Sequence, residues 1–197
     1  MTIIDYKIPF DIFADWLKKA TAKPEIVEPT AMCLATVGAD GKPSSRMILL
    51  KKFDDRGFCF FTNLTSRKAA QLEQNKNVAL CFYWGALGMQ VRIEGEIEPV
   101  SQTEADDYFA SRRRGSQVGA WASKQSQSMA NWQEFQDRIA EIEQKFENQE
   151  VSRPPCWSGF RVVPQRIEFW QEGEFRIHTR DLYTKSGKGW QVTKLYP

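Results

Sequence analysis

The residues of this chain best suited to chemistry are cations gathered in three short stretches. In "RMILLK", Arg46 and Lys51 sit five apart. On a single extended strand they leave opposite faces, so only one points inward unless a bulge intervenes. In "SRKAAQL", Arg67 and Lys68 fall in the first turn of a short helix that Ser66 can cap. That end already carries the positive pole of the helix dipole. Two cations there are locally unfavourable, and a bound anion is the compensation, with a solvated basic turn as the alternative. The third stretch is "RRRGSQVGAWASKQSQ", residues 112 to 127. Arg112, Arg113 and Arg114 read as the end of a helix, whose C-terminal dipole welcomes cations, with Gly115 as its stop. The remainder has neither the apolar face of a core helix nor the alternation of a strand. Ser116, Gln117, Ser123, Gln125 and Ser126 are short donors suited to wrapping a phosphate or a polar ring edge.

Other chemistry is thinly represented. The chain has no GxGxxG, P-loop, GxSxG or HExxH pattern. Its single histidine, His178, and four cysteines without a CxxC pair supply no metal set. Asp106 and Asp107 read as solvated helix residues. Lys plus Arg number 27 against 25 acidic residues, a net charge of +2. That balance is too weak to imply a general nucleic-acid binder, so any anion site must be local. Cys33, Cys59 and Cys81 lie in apolar runs, where the thiol acts as a small hydrophobe, and a reduced, cytoplasmic compartment is expected. "MTIIDYKIPF" lacks the apolar stretch of a signal peptide. The longest uncharged run, "VALCFYWGALGMQV", falls short of the roughly 20 apolar residues a membrane span needs. A soluble protein without nucleic-acid or membrane partners is expected. The 13 Phe and 7 Trp serve core packing and also suit walls for a flat ligand.

The elements that must position these residues follow from periodicity. "FDIFADWLKK" places Phe10, Phe13, Trp16 and Leu17 on one helical face after Pro9. "AMCLATV", "SSRMILLKKF", "FCFFT", "VALCFYW" and "MQVRIEGEIEPV" read as strands with turn residues between them. Ser101 and Glu104 form a capping box for "QTEADDYFASRR". "NWQEFQDRIAEIEQKFE" is an amphipathic helix. Further strands are "GFRVVP", "RIEFWQ", "EFRIHTRDLYTK" and "WQVTKLYP". About eight strands with inserted helices predict an antiparallel barrel with helical decoration. One domain over residues 1–197 is expected, with 1–30 as an N-terminal helical extension.

The stretches "SSRMILLKKFDDRGFCFFTN", "SRKAAQLEQNKNVALCFYW", "QVRIEGEIEPV", "YFASRRRGSQVGAWASKQSQ", "RPPCWSGFRVVPQRIEFWQ" and "RIHTR" occur in this order. Together they resemble the pyridoxine/pyridoxamine 5′-phosphate oxidase family, FMN-dependent enzymes of the split-barrel fold. The resemblance covers most of the chain, from about Ala31 onward. It implies a mainly β architecture, an FMN-binding antiparallel split barrel with peripheral helices. It also implies oxidation of pyridoxamine or pyridoxine 5′-phosphate to pyridoxal 5′-phosphate, with O2 as acceptor and hydrogen peroxide released.

Carried over by position, the resemblance implies an FMN site of Arg46, Met47, Ile48, Leu49, Leu50, Lys51, Phe61 and Thr62. Arg67, Lys68, Gln90, Gln125, Ser126, Trp170 and Arg180 complete it. Lys51, Tyr108, Arg112 and Ser116 would hold the substrate phosphate, while Arg176 and His178 face the pyridine ring as the catalytic pair. Gln90 or Arg180 would stabilise charge on the N1–C2 edge of the flavin. The flavin is implied to lie at a homodimer interface to which both subunits contribute. Arg113 stands where family members commonly have proline, and Thr179 where they commonly have aspartate. An N-terminal Arg/Tyr segment that covers the substrate in some members has no counterpart before Tyr6. Two other readings use the same pocket: an oxidase of another aromatic dihydro compound, as in phenazine biosynthesis, and a non-catalytic flavin- or pyridoxal-phosphate-binding protein.

Overall fold

The computed structural model describes residues 3–197. Over these residues the chain forms ten strands: β1 (Ile3–Asp5), β2 (Ala31–Val37), β3 (Pro43–Leu49), β4 (Lys52–Asp54), β5 (Gly57–Asn63), β6 (Asn77–Trp84), β7 (Met89–Pro99), β8 (Trp157–Gln171), β9 (Thr179–Ser186) and β10 (Gly189–Lys194). Five α-helices accompany them: α1 (Ile8–Thr21), α2 (Arg67–Gln74), α3 (Gln102–Ala110), α4 (Arg114–Ala122) and α5 (Trp132–Lys145). The expected count of about eight strands is therefore low. β1 was not anticipated ahead of α1, and the run read as one strand over 44–53 is broken between β3 and β4.

All pairings are antiparallel, in the order β1-β10-β9-β8-β7-β6-β2-β3, with β5 beside β8 and β4 beside β5. The long strand β8 is the pivot. Along the edge away from β7, its residues 157–162 pair with β5 and residues 166–171 with β9. Pro164, which has no N–H to donate, lies at the changeover, beside a bulge in β8 at Gln165, where the register against Glu94 and Gly95 of β7 shifts by one residue. A Cβ on Gly95 would stand 2.2 Å from the Val163 carbonyl oxygen, so only glycine allows this approach. The sheet divides there, and the result is a split antiparallel barrel, as expected.

Helix α1 closes the interior. Its buried Phe13 meets Phe53, Phe58 and Phe82 edge-on at 5.0, 4.9 and 5.1 Å, a favoured aromatic geometry. The fully buried Trp190 of β10 donates its indole N–H to the Tyr6 carbonyl at 2.9 Å, tying the start of α1 to the last strand. A second, smaller core joins α3, α4 and α5 through Phe109, Val118, Phe146, Val151 and Trp157. The capping box of α3 forms as expected, with Ser101 and Glu104 bonding each other's backbone N–H. The Ser101 N–H, and after it Arg161, hold the Glu104 carboxyl at about 2, below the usual carboxylate range. Arg161, 1% exposed, donates to Glu104 at 2.6 Å and so anchors α3 to β8. Among the described residues no helix is long and apolar enough to cross a membrane.

Candidate functional site

The break between β3 and β4 decides where two of the cations go. Leu50 is buried in the core, its N–H donating to Thr30, and the Lys51 N–H then donates to Cys59 of β5. The chain thus turns from one strand partner to another within two residues. Arg46 and Lys51, which simple alternation would set on opposite faces, line the same cavity.

That cavity has a volume of about 590 Å³, within the range of small-molecule sites. Arg46, Lys51, Lys68 and Arg112 line it, and no carboxylate does. Its surroundings form two clusters. In the first, Lys68 donates to Thr62 Oγ1 at 3.0 Å and to Gln125 Oε1 at 2.7 Å, and Thr62 donates to Gln125 at 3.1 Å. Arg46 stands nearby, its guanidinium held by Thr36 Oγ1 at 2.7 Å, Ser44 Oγ at 2.8 Å and Gln71 Oε1 at 3.2 Å. In the second cluster, Phe61, Tyr108 and Trp157 stack, with centroids 4.2 Å apart for Phe61–Tyr108 and 5.3 Å for Phe61–Trp157. Arg112 lies over the Trp157 ring at 4.8 Å. Gly159 makes room for the stack: a Cβ there would fall 2.6 Å from Phe61 Cδ1.

Among the described residues no carboxylate faces the cations of this cavity. Burial lowers the pKa of Arg46, Lys68 and Arg112; Arg67 pushes Arg46 down further, and Arg46 does the same to Lys68. Arg112 Nη1 is buried without a hydrogen-bond partner among the described residues. Desolvated cations with an orphaned donor favour an anion, which would offset the cost of burying their charge. Ser66 does cap α2, accepting from Ala69, so Arg67 and Lys68 occupy its first turn as expected. Lys68 turns into the cavity and Arg67 stays exposed.

The arginine run is read differently by the structure than by the sequence. Helix α3 ends at Ala110, and residues 114–122, expected to be irregular, form α4. Gly115 therefore sits in the first turn of a helix and does not stop one. The small residues that hid this helix in the sequence give it a flat face: Ser116, Gly119, Ala120 and Ser123 line the cavity. Arg112 lies between the two helices, Arg113 is the N-cap of α4, and Arg114 donates to the carbonyls of Phe146 and Gln149 at 2.8 Å each, closing the end of α5. Three adjacent arginines thus have three different settings.

Of the expected site residues, Arg46, Met47, Ile48, Leu49, Lys51, Phe61, Thr62, Lys68, Tyr108, Arg112, Ser116 and Gln125 meet at the cavity. Ser126, left-handed at φ 72°, lines the adjoining groove. Asn63, Phe135 and Trp157 also line the cavity and were not singled out. Trp157 was detectable in principle, since its neighbour Gly159 marks a close approach to whatever pairs with β8.

Gln90, Trp170, Arg176, His178 and Arg180 form a separate group that does not line the cavity of this chain. Gln90, Trp170 and Arg180 stand side by side across β7, β8 and β9. Arg180 donates to the buried Glu168 at 2.7 Å, which raises its pKa. His178 packs on Trp170 at 4.6 Å, and its Nδ1 accepts the Gly173 N–H at 3.2 Å. That bond leaves the proton of the neutral ring on Nε2. Between β8 and β9, Phe175 and Arg176 are both left-handed, with φ of 55° and 64°, and Phe175 is 90% exposed. Two consecutive non-glycine residues in that region store strain, a recurrent feature of functional loops.

Comparison with known proteins places this architecture. Residues 19–146 match the family model described as pyridoxamine 5′-phosphate oxidase, and residues 157–197 match the one for the pyridoxine 5′-phosphate oxidase C-terminal dimerisation region. A pyridoxine/pyridoxamine 5′-phosphate oxidase of Myxococcus xanthus is 53% identical, covering 96% of this chain and 91% of the relative. One from Gluconobacter oxydans is 50% identical over 99% of this chain and 98% of its own. The crystal structure of PhzG from Burkholderia lata 383, in complex with tetrahydrophenazine-1-carboxylic acid, superposes with a TM-score of 0.90 at 32% identity, covering 96% and 92% of the two chains. With residues 19–146 and 157–197 both matched and half of its residues shared with such relatives, this protein belongs to the pyridoxamine 5′-phosphate oxidase family.

Proposed function

We propose that this protein oxidises pyridoxamine or pyridoxine 5′-phosphate to pyridoxal 5′-phosphate, using FMN and O2 and releasing hydrogen peroxide, with ammonia from the amine. The observation that carries the reading is the carboxylate-free cavity with four cations and an aromatic wall. It offers charge for two phosphate groups and flat faces for two rings. The higher identity to the named oxidases, 53% against 32% for PhzG, favours this substrate over another aromatic dihydro compound.

FMN bound here would supply the two-electron redox chemistry between substrate and O2. The residues present fit it. Lys68, with Thr62 and Gln125 already bonded around it, would hold the flavin phosphate together with Arg46 and Arg67, and the backbone of 47–50 and Ser126 would flank it. Lys51, Tyr108, Arg112 and Ser116 would hold the substrate phosphate, leaving the substrate ring to be oriented. In this reading Arg176 and His178 orient it, and Gln90, Trp170 and Arg180 meet the flavin, from the second subunit of a homodimer. The match of residues 157–197 to a dimerisation region supports that arrangement. So does the exposure of Met47, Tyr83, Phe175 and Ile177.

The test is an absorbance time course of the purified protein with pyridoxamine 5′-phosphate. An aldehyde product appearing with an equal amount of peroxide is expected. Flavin-loaded protein that leaves both vitamer phosphates unchanged would overturn the proposal.

A further inference from the structure

We infer that Trp157 is a positioning residue for the substrate phosphate, acting through Arg112. The inference rests on the reading above, in which Arg112 takes that phosphate. An arginine that binds an anion is commonly aimed by a carboxylate or by backbone carbonyls. The Arg112 side chain has neither among the described residues: no carboxylate lines the cavity it faces, and its buried Nη1 has no hydrogen-bond partner. What the guanidinium does have is two ring faces, Trp157 at 4.8 Å and Phe109 at 5.6 Å. An indole face attracts a desolvated cation through its quadrupole and leaves the N–H donors in the guanidinium plane free. A carboxylate in the same place would consume those donors and cancel the charge. Aiming Arg112 with a ring keeps it whole for a phosphate.

Trp157 is itself held firmly. It is buried and stacked on Phe61 at an interplanar angle of 8°. Its backbone is fixed on both sides, the N–H donating to Pro154 and the carbonyl accepting from Arg153 at 2.6 Å. Phe109 meets its edge at 5.1 Å. The ring therefore forms a rigid platform between the cavity wall and Arg112.

The experiment is a double-mutant cycle on the flavin-loaded enzyme, with pyridoxine 5′-phosphate as substrate and inorganic phosphate as competitive inhibitor. Trp157→Leu should raise KM and the phosphate inhibition constant about tenfold, with kcat within a factor of two. Trp157→Phe, which keeps a ring face, should recover most of the loss. In an Arg112→Ala background the same Trp157 changes should add almost nothing. Because Leu at a packed position can compromise folding, a multiply fluorinated tryptophan placed at residue 157 gives a second measurement. It keeps the shape, drains the ring face, and should weaken phosphate inhibition in the Arg112 enzyme alone. Equal effects in both backgrounds would overturn the inference and leave the phosphate role of Arg112 standing. An Arg112→Ala enzyme with unchanged KM and unchanged phosphate inhibition would overturn both.

Discussion

Lys68 shows how one side chain can report on a ligand. Burial, and then Arg46, push its pKa down, so in the ligand-free site the ammonium gives up its proton at lower pH than an ordinary lysine. A phosphate held there would raise that pKa again. Between the two values binding must take up a proton, so flavin affinity should fall as pH rises through that window. Lys68→Arg should shift the fall to higher pH, measurable by flavin fluorescence on titration. Identical pH profiles in the two proteins would remove Lys68 from the phosphate site. At this scale the sequence was partly readable. Two cations in the first turn of α2 pointed to an anion from dipole physics alone, and the structure turns Lys68 inward. The arginine run was opaque. Which of Arg112, Arg113 and Arg114 faces the cavity depends on the carbonyls of Phe146 and Gln149, far along the chain, which take Arg114 away.

Strands β5 and β8 carry Phe61 and Trp157 of the aromatic wall, and Gly159 controls how closely they approach. Its missing side chain accommodates both Phe61 and the Phe60 carbonyl, the latter 2.7 Å from where a Cβ would stand. A backbone oxygen cannot rotate out of the way, so Gly159→Ala must part the strands or tilt Phe61. The expected result is a stability loss of about 1–3 kcal/mol and a weaker flavin complex, read by thermal unfolding and by flavin titration. Unchanged values for both would mean that the stack is not under this constraint. Most elements were legible because alternation and 3.6-residue periodicity are local signals. The exceptions have physical causes. Helix α4 presents Gly115, Ser116, Gly119 and Ala120 where an apolar stripe would have announced it. The corner at Leu50 is invisible because "MILLKKF" holds no glycine, proline or other turn residue to mark it.

The whole molecule poses the question of where the second group of residues acts. Gln90, Trp170, Arg176, His178 and Arg180 are gathered on β7, β8, β9 and the strained loop, away from the cavity wall that holds the four cations. If each site in a homodimer draws one group from each subunit, the two groups can be inactivated separately and recombined. Lys68→Ala and Arg176→Ala proteins, each depleted in activity, should regain about one quarter of the native rate when mixed under exchange. Half of the dimers are then mixed, and each of these has one intact site of two. No recovery, with mixed dimers demonstrated, would mean that both groups serve the same subunit. The sequence showed this division only through family resemblance, because a two-fold contact leaves no periodic trace along one chain.

The bond from Trp190 to the Tyr6 carbonyl joins residues separated by 184 positions. During synthesis on the ribosome, Tyr6 emerges long before its partner exists. Helix α1, whose phenylalanines seal the interior, gains that tether only when β10 has left the ribosome, so final closure follows the end of translation. Until then those apolar side chains are without their final fastening, and at about 5–20 residues per second that interval is on the order of ten seconds or more. A nascent chain halted before Gly189 would lack both the Trp190 tether and the strand that β1 pairs with.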